Sequence, residues 1–232
     1  LVFGLTGHIR RGTQRDLLDF THQIVSRMNP PPLVEGLDNL PESSKFVLTA
    51  NHYQRKGLWI LHVAAALSQA IANRYPSVAD PPVRWMVTAN WPPIRLGSWT
   101  IASPGDWLLP RVAHALHCYP VTFAGSNPRF TARTIRRILT DAATMQSPLG
   151  IFPEGVAGSA SELGPPLPGV DRLLQQLAKR GLPIVPALVS ENAGRLTLKF
   201  GAPEPADVVL DSPDAAQLAM NRIRGLQNGA LA

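Results

Sequence analysis

His52, in the pair Asn51-His52, and Glu154, in Phe152-Pro153-Glu154-Gly155, are the residues whose types and placing suit proton-transfer chemistry. An imidazole titrates near neutrality, so a positioned histidine can take a proton from a hydroxyl. Asn51-His52 stands where an apolar run hands over to a helix, an edge at which α/β sheets often bind ligands. Phe152-Pro153-Glu154-Gly155 closes a second apolar run and sets a carboxylate beside flexible backbone at a comparable edge. Taken alone, His52 equally suits a structural or surface position.

Other chemistries lack their residues. The chain has no Gly-x-Ser-x-Gly elbow, no Walker loop and no Gly-x-Gly-x-x-Gly. His114 and His117 are the nearest histidine pair, and no third ligand follows them, so no metal is expected. Cys118 is the only cysteine, which excludes an intrachain disulfide and suits a reducing setting. Its place beside an apolar strand suits burial rather than nucleophilic attack.

The elements that must position these residues follow from periodicity. Thr13–Met28 reads as an amphipathic helix with Thr13 and Asp16 as its start signal, closed by Asn29-Pro30-Pro31-Pro32. That helix suits packing on the core or, with Arg10, Arg11 and Arg15 nearby, contact with a membrane interface. Strands are expected at 45–49, 83–89, 118–123, 149–152, 182–190 and 195–200, and helices at 58–73, 111–116, 131–146 and 170–180. Residues 90–110 read as a long loop with a short helix, and Ser212-Pro213-Asp214 opens a terminal helix. Strands alternating with helices predict an α/β layered domain with a central, largely parallel mixed sheet flanked by helices. Residues 1–32 are read as an N-terminal amphipathic segment, 33–205 as the α/β domain, and 206–232 as a C-terminal helix packing on it.

The order of short motifs along residues 33–205 resembles the glycerolipid acyltransferase superfamily. Val34-Glu35-Gly36-Leu37-Asp38-Asn39-Leu40-Pro41 resembles its lead-in, Asn51-His52 its first block, and Phe152-Pro153-Glu154-Gly155 its third. Gly169 after Pro165-Pro166-Leu167-Pro168, Leu182-Pro183-Ile184-Val185-Pro186-Ala187, and Lys199-Phe200-Gly201-Ala202-Pro203 follow in the family order. The resemblance implies acyl transfer from a CoA or acyl-carrier-protein thioester to a glycerolipid-type hydroxyl, a step of phospholipid biosynthesis. His52 would be the general base, the thioester a co-substrate, and no cofactor is implied. Asn51, Gly155, Arg129 and Arg133 are the substrate-binding residues it implies, with Glu154 and Gly155 shaping the acceptor site.

Three departures from the family pattern bear on that expectation. Gly57 stands five positions after His52, where the family has the Asp that stabilises the imidazolium. Arg55 and Lys56 are nearby instead, and cations disfavour a protonated histidine. Phe123 stands where the second block has an Arg, and Val156-Ala157 follow the Glu-Gly where the family has Thr-Arg or Ser-Arg. Arg129 and Arg133 could replace that phosphate grip, or could form a solvated basic face. Glu154 or Asp106 could supply the missing carboxylate; otherwise Glu154 ties two loops and Asp106 is a turn residue. One reading is an active acyltransferase with a rearranged dyad. The other is a catalytically impaired member that binds lipid or acyl chains.

Composition is in keeping with a lipid partner. Only 16% of residues are charged, against roughly 25% in ordinary soluble domains. The net charge of +6 suits anionic lipid or phosphate; no aromatic-basic motif points to nucleic acid. No apolar run is long enough to span a membrane. Trp85, Trp91, Trp99 and Trp107 suit either an interface or core packing. Residues 90–110 with the N-terminal helix are the expected lipid-facing side of a peripheral protein on the cytoplasmic face.

Overall fold

Val47-Leu48-Thr49-Ala50 is buried at every position, as a strand covered on both faces must be. The computed structural model describes residues 13, 16–77, 82–90, 94–96, 99–101, 105–122, 127–156, 158 and 162–229. Its strands are β1 (Leu33–Glu35), β2 (Val47–Ala50), β3 (Arg84–Thr88), β4 (Ile94–Leu96), β5 (Trp99–Ile101), β6 (Tyr119–Val121), β7 (Leu149–Ile151), β8 (Ile184–Asn192) and β9 (Arg195–Phe200). Its α-helices are α1 (Leu17–Val25), α2 (Ile60–Arg74), α3 (Gly105–Ala115), α4 (Pro128–Asp141), α5 (Val170–Ala178), α6 (Ala206–Asp211) and α7 (Ala215–Gly225).

Seven strands form one sheet in the order β1-β9-β8-β2-β7-β3-β6, and β4 pairs with β5 apart from it. β8, β2, β7, β3 and β6 run parallel to one another. β9 turns back antiparallel on β8, and β1 runs parallel to β9. The β8–β9 hairpin turns on Ala193 and Gly194, both at positive φ (48° and 80°), the primed geometry that two-residue hairpins favour. The expected α/β layered domain with a largely parallel mixed sheet is the observed fold.

Side-chain alternation builds a core on each face. Leu48 and Val185 pack with Leu67 and Ile71 of α2 on one side. Val47, Leu149 and Ile184 pack with Ile138 of α4, Leu174 of α5 and Ala219 of α7 on the other. α1 lies over α2, burying Leu17, Phe20 and Ile24 against Ala65 and Leu116. The apolar face of α1, one candidate for meeting lipid, is therefore spent on packing.

Local signals explain where the sequence-based boundaries moved. Asp16, expected inside the first helix, is its cap: its carboxylate accepts from the Asp19 N–H at 3.0 Å. Asn127 caps α4 by accepting from Phe130 N–H, with Pro128 in the first turn, so the helix starts before Thr131 and ends at Asp141. Asp214, not Ser212, caps α7, accepting from Gln217 N–H at 2.9 Å. The short helix α6 carried no signal that was read.

The largest change is at residues 90–110, where a long loop with a short helix was expected: β4 and β5 pair there, and α3 starts at Gly105 and runs on through most of the helix expected at 111–116. Pro110 lies inside α3, where proline removes a helix hydrogen bond. Arg111, next along, donates to the Trp107 carbonyl at 2.8 Å and lies 4.3 Å from the centre of the Trp107 ring, a contact that braces this part of the helix. Arg10, Arg11, Arg15, Trp91, Phe123 and Ala157 lie outside the described residues, as do the side chains of Trp99 and Asp106.

Candidate active site

β2 and β7 are parallel neighbours with Thr49 opposite Ile151, so the residues that follow them leave the same sheet edge side by side. Asn51-His52 and Phe152-Pro153-Glu154-Gly155, far apart in sequence, thereby become one site. The pairing continues into the loops: Gly158 N–H donates to the His52 carbonyl at 2.9 Å, and Gln54 N–H to the Gly158 carbonyl at 3.3 Å.

The imidazole of His52 stands edge-on to the Phe152 ring, 5.4 Å between centres. Phe152 in turn stacks on Trp85 at 4.6 Å, and the Trp85 indole N–H donates to Ser68 Oγ. Trp85 is thus a core residue behind the site rather than an interfacial one. Gly150 makes room for it: a Cβ there would stand 2.3 Å from the Trp85 ring. A glycine inside the strand Leu-Gly-Ile was the sequence signal for that close approach.

Asn51 is fully buried and clamps β2 to β8. Its amide donates to the Val189 carbonyl at 2.9 Å and accepts from the Val189 N–H at 2.7 Å. Both ends of the amide are thus committed to the Val189 backbone.

Glu154 is buried beneath the two loops. Burial pushes its carboxyl up to about 7, while the backbone amides of Gly164 and His52 pull the other way. Oε1 of Glu154 and Nδ1 of His52 are both buried without a hydrogen-bond partner. Glu154 therefore meets the backbone of His52 and not its ring, and in this arrangement does not replace the missing orienting carboxylate.

Gly155 has φ +62°, and a Cβ there would come within 2.0 Å of Leu167 Cδ1. Both facts require glycine, and they let backbone rather than side chain face the site.

The segment after His52 is a turn, with Arg55 and Leu58 exchanging backbone hydrogen bonds and Gly57 at φ +82°. Arg55 forks onto Glu191 at 2.6 and 3.0 Å, and Tyr53 reaches the same carboxylate at 3.4 Å. Glu191, at the end of β8, was missed because the strand was expected to stop at Ser190. Its carboxylate neutralises the Arg55 guanidinium beside the site. The His52 pKa is lowered chiefly by burial, not by neighbouring cations as the sequence suggested. Burial therefore favours the neutral imidazole.

An apolar cavity of about 640 Å³ lies beside His52. Phe20, Ile60, Ala64, Trp85 and Val112 form much of its wall, and Gly155 also lines it. The lining hydroxyls of Thr21, Ser68, Thr88 and Thr122 have protein partners. Among the described lining residues, His52 and the side-chain amide of Gln54 are left to meet a polar substrate group. Cys118 also lines the cavity, but burial pushes its thiol up to about 12, which keeps it protonated and unreactive.

Arg129 and Arg133 are exposed on α4 and do not line the cavity. Among the described residues, no group of three histidine, cysteine or acidic side chains could hold a metal ion. No described helix is long and apolar enough to cross a membrane.

The parallel sheet thus presents a histidine, a left-handed glycine and an apolar cavity at one edge of an α/β fold. The chain belongs to the acyltransferase family, whose family model matches residues 32–190. Its fold is similar to that of the 1-acyl-sn-glycerophosphate (LPA) acyltransferase PlsC from Thermotoga maritima, with a TM-score of 0.59 at 14% identity over 91% of this chain and 77% of that one. No curated protein matches the sequence.

Proposed function

We propose that this chain transfers an acyl group from a CoA or acyl-carrier-protein thioester to a glycerolipid-type hydroxyl, with His52 as general base. The observation that carries the reading is the apolar cavity of about 640 Å³ against His52, whose burial favours the neutral imidazole. Its volume suits one chain-like ligand, within the roughly 300–1,000 Å³ typical of small-molecule sites. His52 takes the proton as the acceptor oxygen bonds to the thioester carbonyl carbon. The carbon–sulfur bond then breaks, and the leaving thiolate takes the proton from the imidazolium. With Cys118 protonated and Ser68 bonded to Trp85, a direct transfer without an acyl-enzyme fits the lining best. Glu154 and Asn51 act through the backbone that carries His52.

A second reading has its own observation. Gly57 and the unpartnered Nδ1 leave the imidazolium without a carboxylate, which favours a member that binds acyl chains and turns over slowly.

Peripheral attachment at the cytoplasmic membrane face belongs to the same proposal. Leu61 and Val156 line the cavity and are also exposed, and Trp59 and Trp107 are 66% and 60% exposed beside elements that line it. Exposed indoles of this kind favour a lipid interface.

The test is ester formation with lysophospholipid and glycerol-phosphate acceptors, using acyl-CoA donors of increasing chain length. Each buried methylene is worth about 0.8 kcal/mol, so donor KM should fall about fourfold per methylene until the cavity is full. A KM independent of chain length would remove the cavity from the reaction.

A further inference from the structure

Residues 51–55 alternate between two sides at the end of β2. Asn51 is bonded to the Val189 backbone, and Tyr53 and Arg55 both reach the Glu191 carboxylate, at 3.4 Å and at 2.6 and 3.0 Å. All three are thus bonded to β8. Tyr53 also forms a parallel bridge with Gly158, which keeps the segment extended. Successive side chains of an extended segment point to opposite sides. His52 and Gln54 accordingly share the other side, and both line the apolar cavity. Two residues of extended chain set them about 7 Å apart along the backbone.

Gln54 carries the one side-chain amide on the described lining, and that amide has no protein partner among the described residues. Most other donors at this edge are committed. The N–H groups of Tyr53, Gln54, Arg55 and Leu58 donate to backbone carbonyls, as do those of Gly155 and Gly158. The lining hydroxyls are bonded within the protein. Glu191 holds the arrangement: Tyr53 and Arg55 flank Gln54, and their bonds to its carboxylate fix the chain on either side.

We propose that the Gln54 side-chain amide donates to the thioester carbonyl oxygen and stabilises the charge that this oxygen takes up during transfer. The proposal rests on the acyl-transfer reading and adds a second catalytic residue to it. As His52 takes the acceptor's proton, the acceptor oxygen bonds to the carbonyl carbon and the carbonyl π pair moves onto its oxygen. The Gln54 N–H bonds to that oxyanion. The pair returns as the carbon–sulfur bond breaks, and the leaving thiolate takes the proton from the imidazolium. The attacking oxygen and the oxyanion sit on one carbon, so base and donor must stand side by side, as a same-side pair two residues apart does. In an apolar cavity such a donor is worth far more than in water. An anionic headgroup is a poorer match, because the amide is neutral and Arg55 beside it is paired with Glu191. Nor does Gln54 orient the imidazole through Nδ1, which has no hydrogen-bond partner.

The test compares the wild type with Gln54→Ala and with Q54E, which keeps the side-chain length and replaces the amide by a carboxylate. Ester formation is measured with palmitoyl-CoA and a lysophospholipid. Both variants should lose kcat by about 100-fold or more, the usual effect of removing one oxyanion donor. KM for either substrate should stay within about twofold in Gln54→Ala, the pattern of an interaction made only in the transition state. Two probes report the contact without turnover: S-hexadecyl-CoA, which has no carbonyl oxygen, and methyl hexadecylphosphonate, a tetrahedral anion. Gln54→Ala should bind the thioether as the wild type does and the phosphonate about tenfold or more weakly, a change of about 1.4 kcal/mol. The NMR titration of His52 should be the same in the two proteins; a residue acting through the imidazole would shift it. An unchanged kcat, a rise in acceptor KM alone, equal changes in the binding of both probes, or a shifted His52 titration would each overturn the proposal. If the wild type forms no ester, the acyl-transfer reading fails, and the two probes alone decide whether Gln54 binds an oxyanion.

Discussion

Replacing Glu154 by Gln should flatten the pH dependence of folding stability in the mildly acidic range. Burial pushes the Glu154 carboxyl up to about 7 in the folded chain, against 4.5 when exposed. Between those values the folded protein holds a proton that the unfolded chain has released. Stability from this group is therefore full below about 4.5 and falls as pH rises through 7. The rise from 4.5 to about 7, at about 1.4 kcal/mol per pH unit, sets an upper limit of roughly 3 kcal/mol. Gln keeps a carbonyl oxygen that can accept from the backbone amides, but it does not titrate. The lowered pKa of His52 acts in the opposite sense, its stability contribution rising with pH towards 6.5; it is present in both proteins and cancels in the difference. Urea denaturation of wild type and E154Q at half-unit intervals from pH 4 to 8 measures the effect. The E154Q curve should gain on the wild type as pH rises, by up to about 3 kcal/mol, or roughly 6–12 °C in Tm for a chain of this size. Parallel curves would refute the argument that burial, rather than a hidden charge partner, sets the state of Glu154.

Three further outcomes follow from the same geometry. Gly155→Ala must bear a positive φ and a Cβ that meets Leu167 at 2.0 Å, so denaturant unfolding should show a loss of more than about 1–3 kcal/mol together with lost acyl-chain binding. Asn51→Ala strands the buried N–H and carbonyl of Val189, each worth about 1–3 kcal/mol, and chemical denaturation should register a loss of at least one such group. The thiol of Cys118, held at about 12, should resist a thiol-disulfide reagent at pH 8 in the folded protein and react once the chain is unfolded in urea.

Most of the sheet was legible because its strands are apolar runs bounded by proline and glycine, and the parallel order followed from their alternation with helices. Asn51-His52 and Phe152-Pro153-Glu154-Gly155 could be placed at sheet edges from sequence. That they share one edge depends on β2 lying next to β7, a register that no local pattern encodes. The role of Asn51 was hidden for the same reason: its partner is the backbone of Val189, and a backbone group leaves no mark in sequence. Pro110 hid the start of α3: the expected helix began at 111, because proline ordinarily stands outside a helix interior. Glu154 looked like a spare acid for His52, yet its direction is set by the fold of the loop, which turns the carboxyl to the His52 backbone.

The most direct test of the account is the rate of ester formation from acyl-CoA and a lysophospholipid by the wild type and by His52→Ala. Both should take up the acyl chain equally, because the cavity wall is otherwise unchanged. The wild type should form ester, and the variant should be slower by about 100-fold or more, the contribution of a positioned general base. Equal rates in the two proteins would contradict the assignment of His52 as the base.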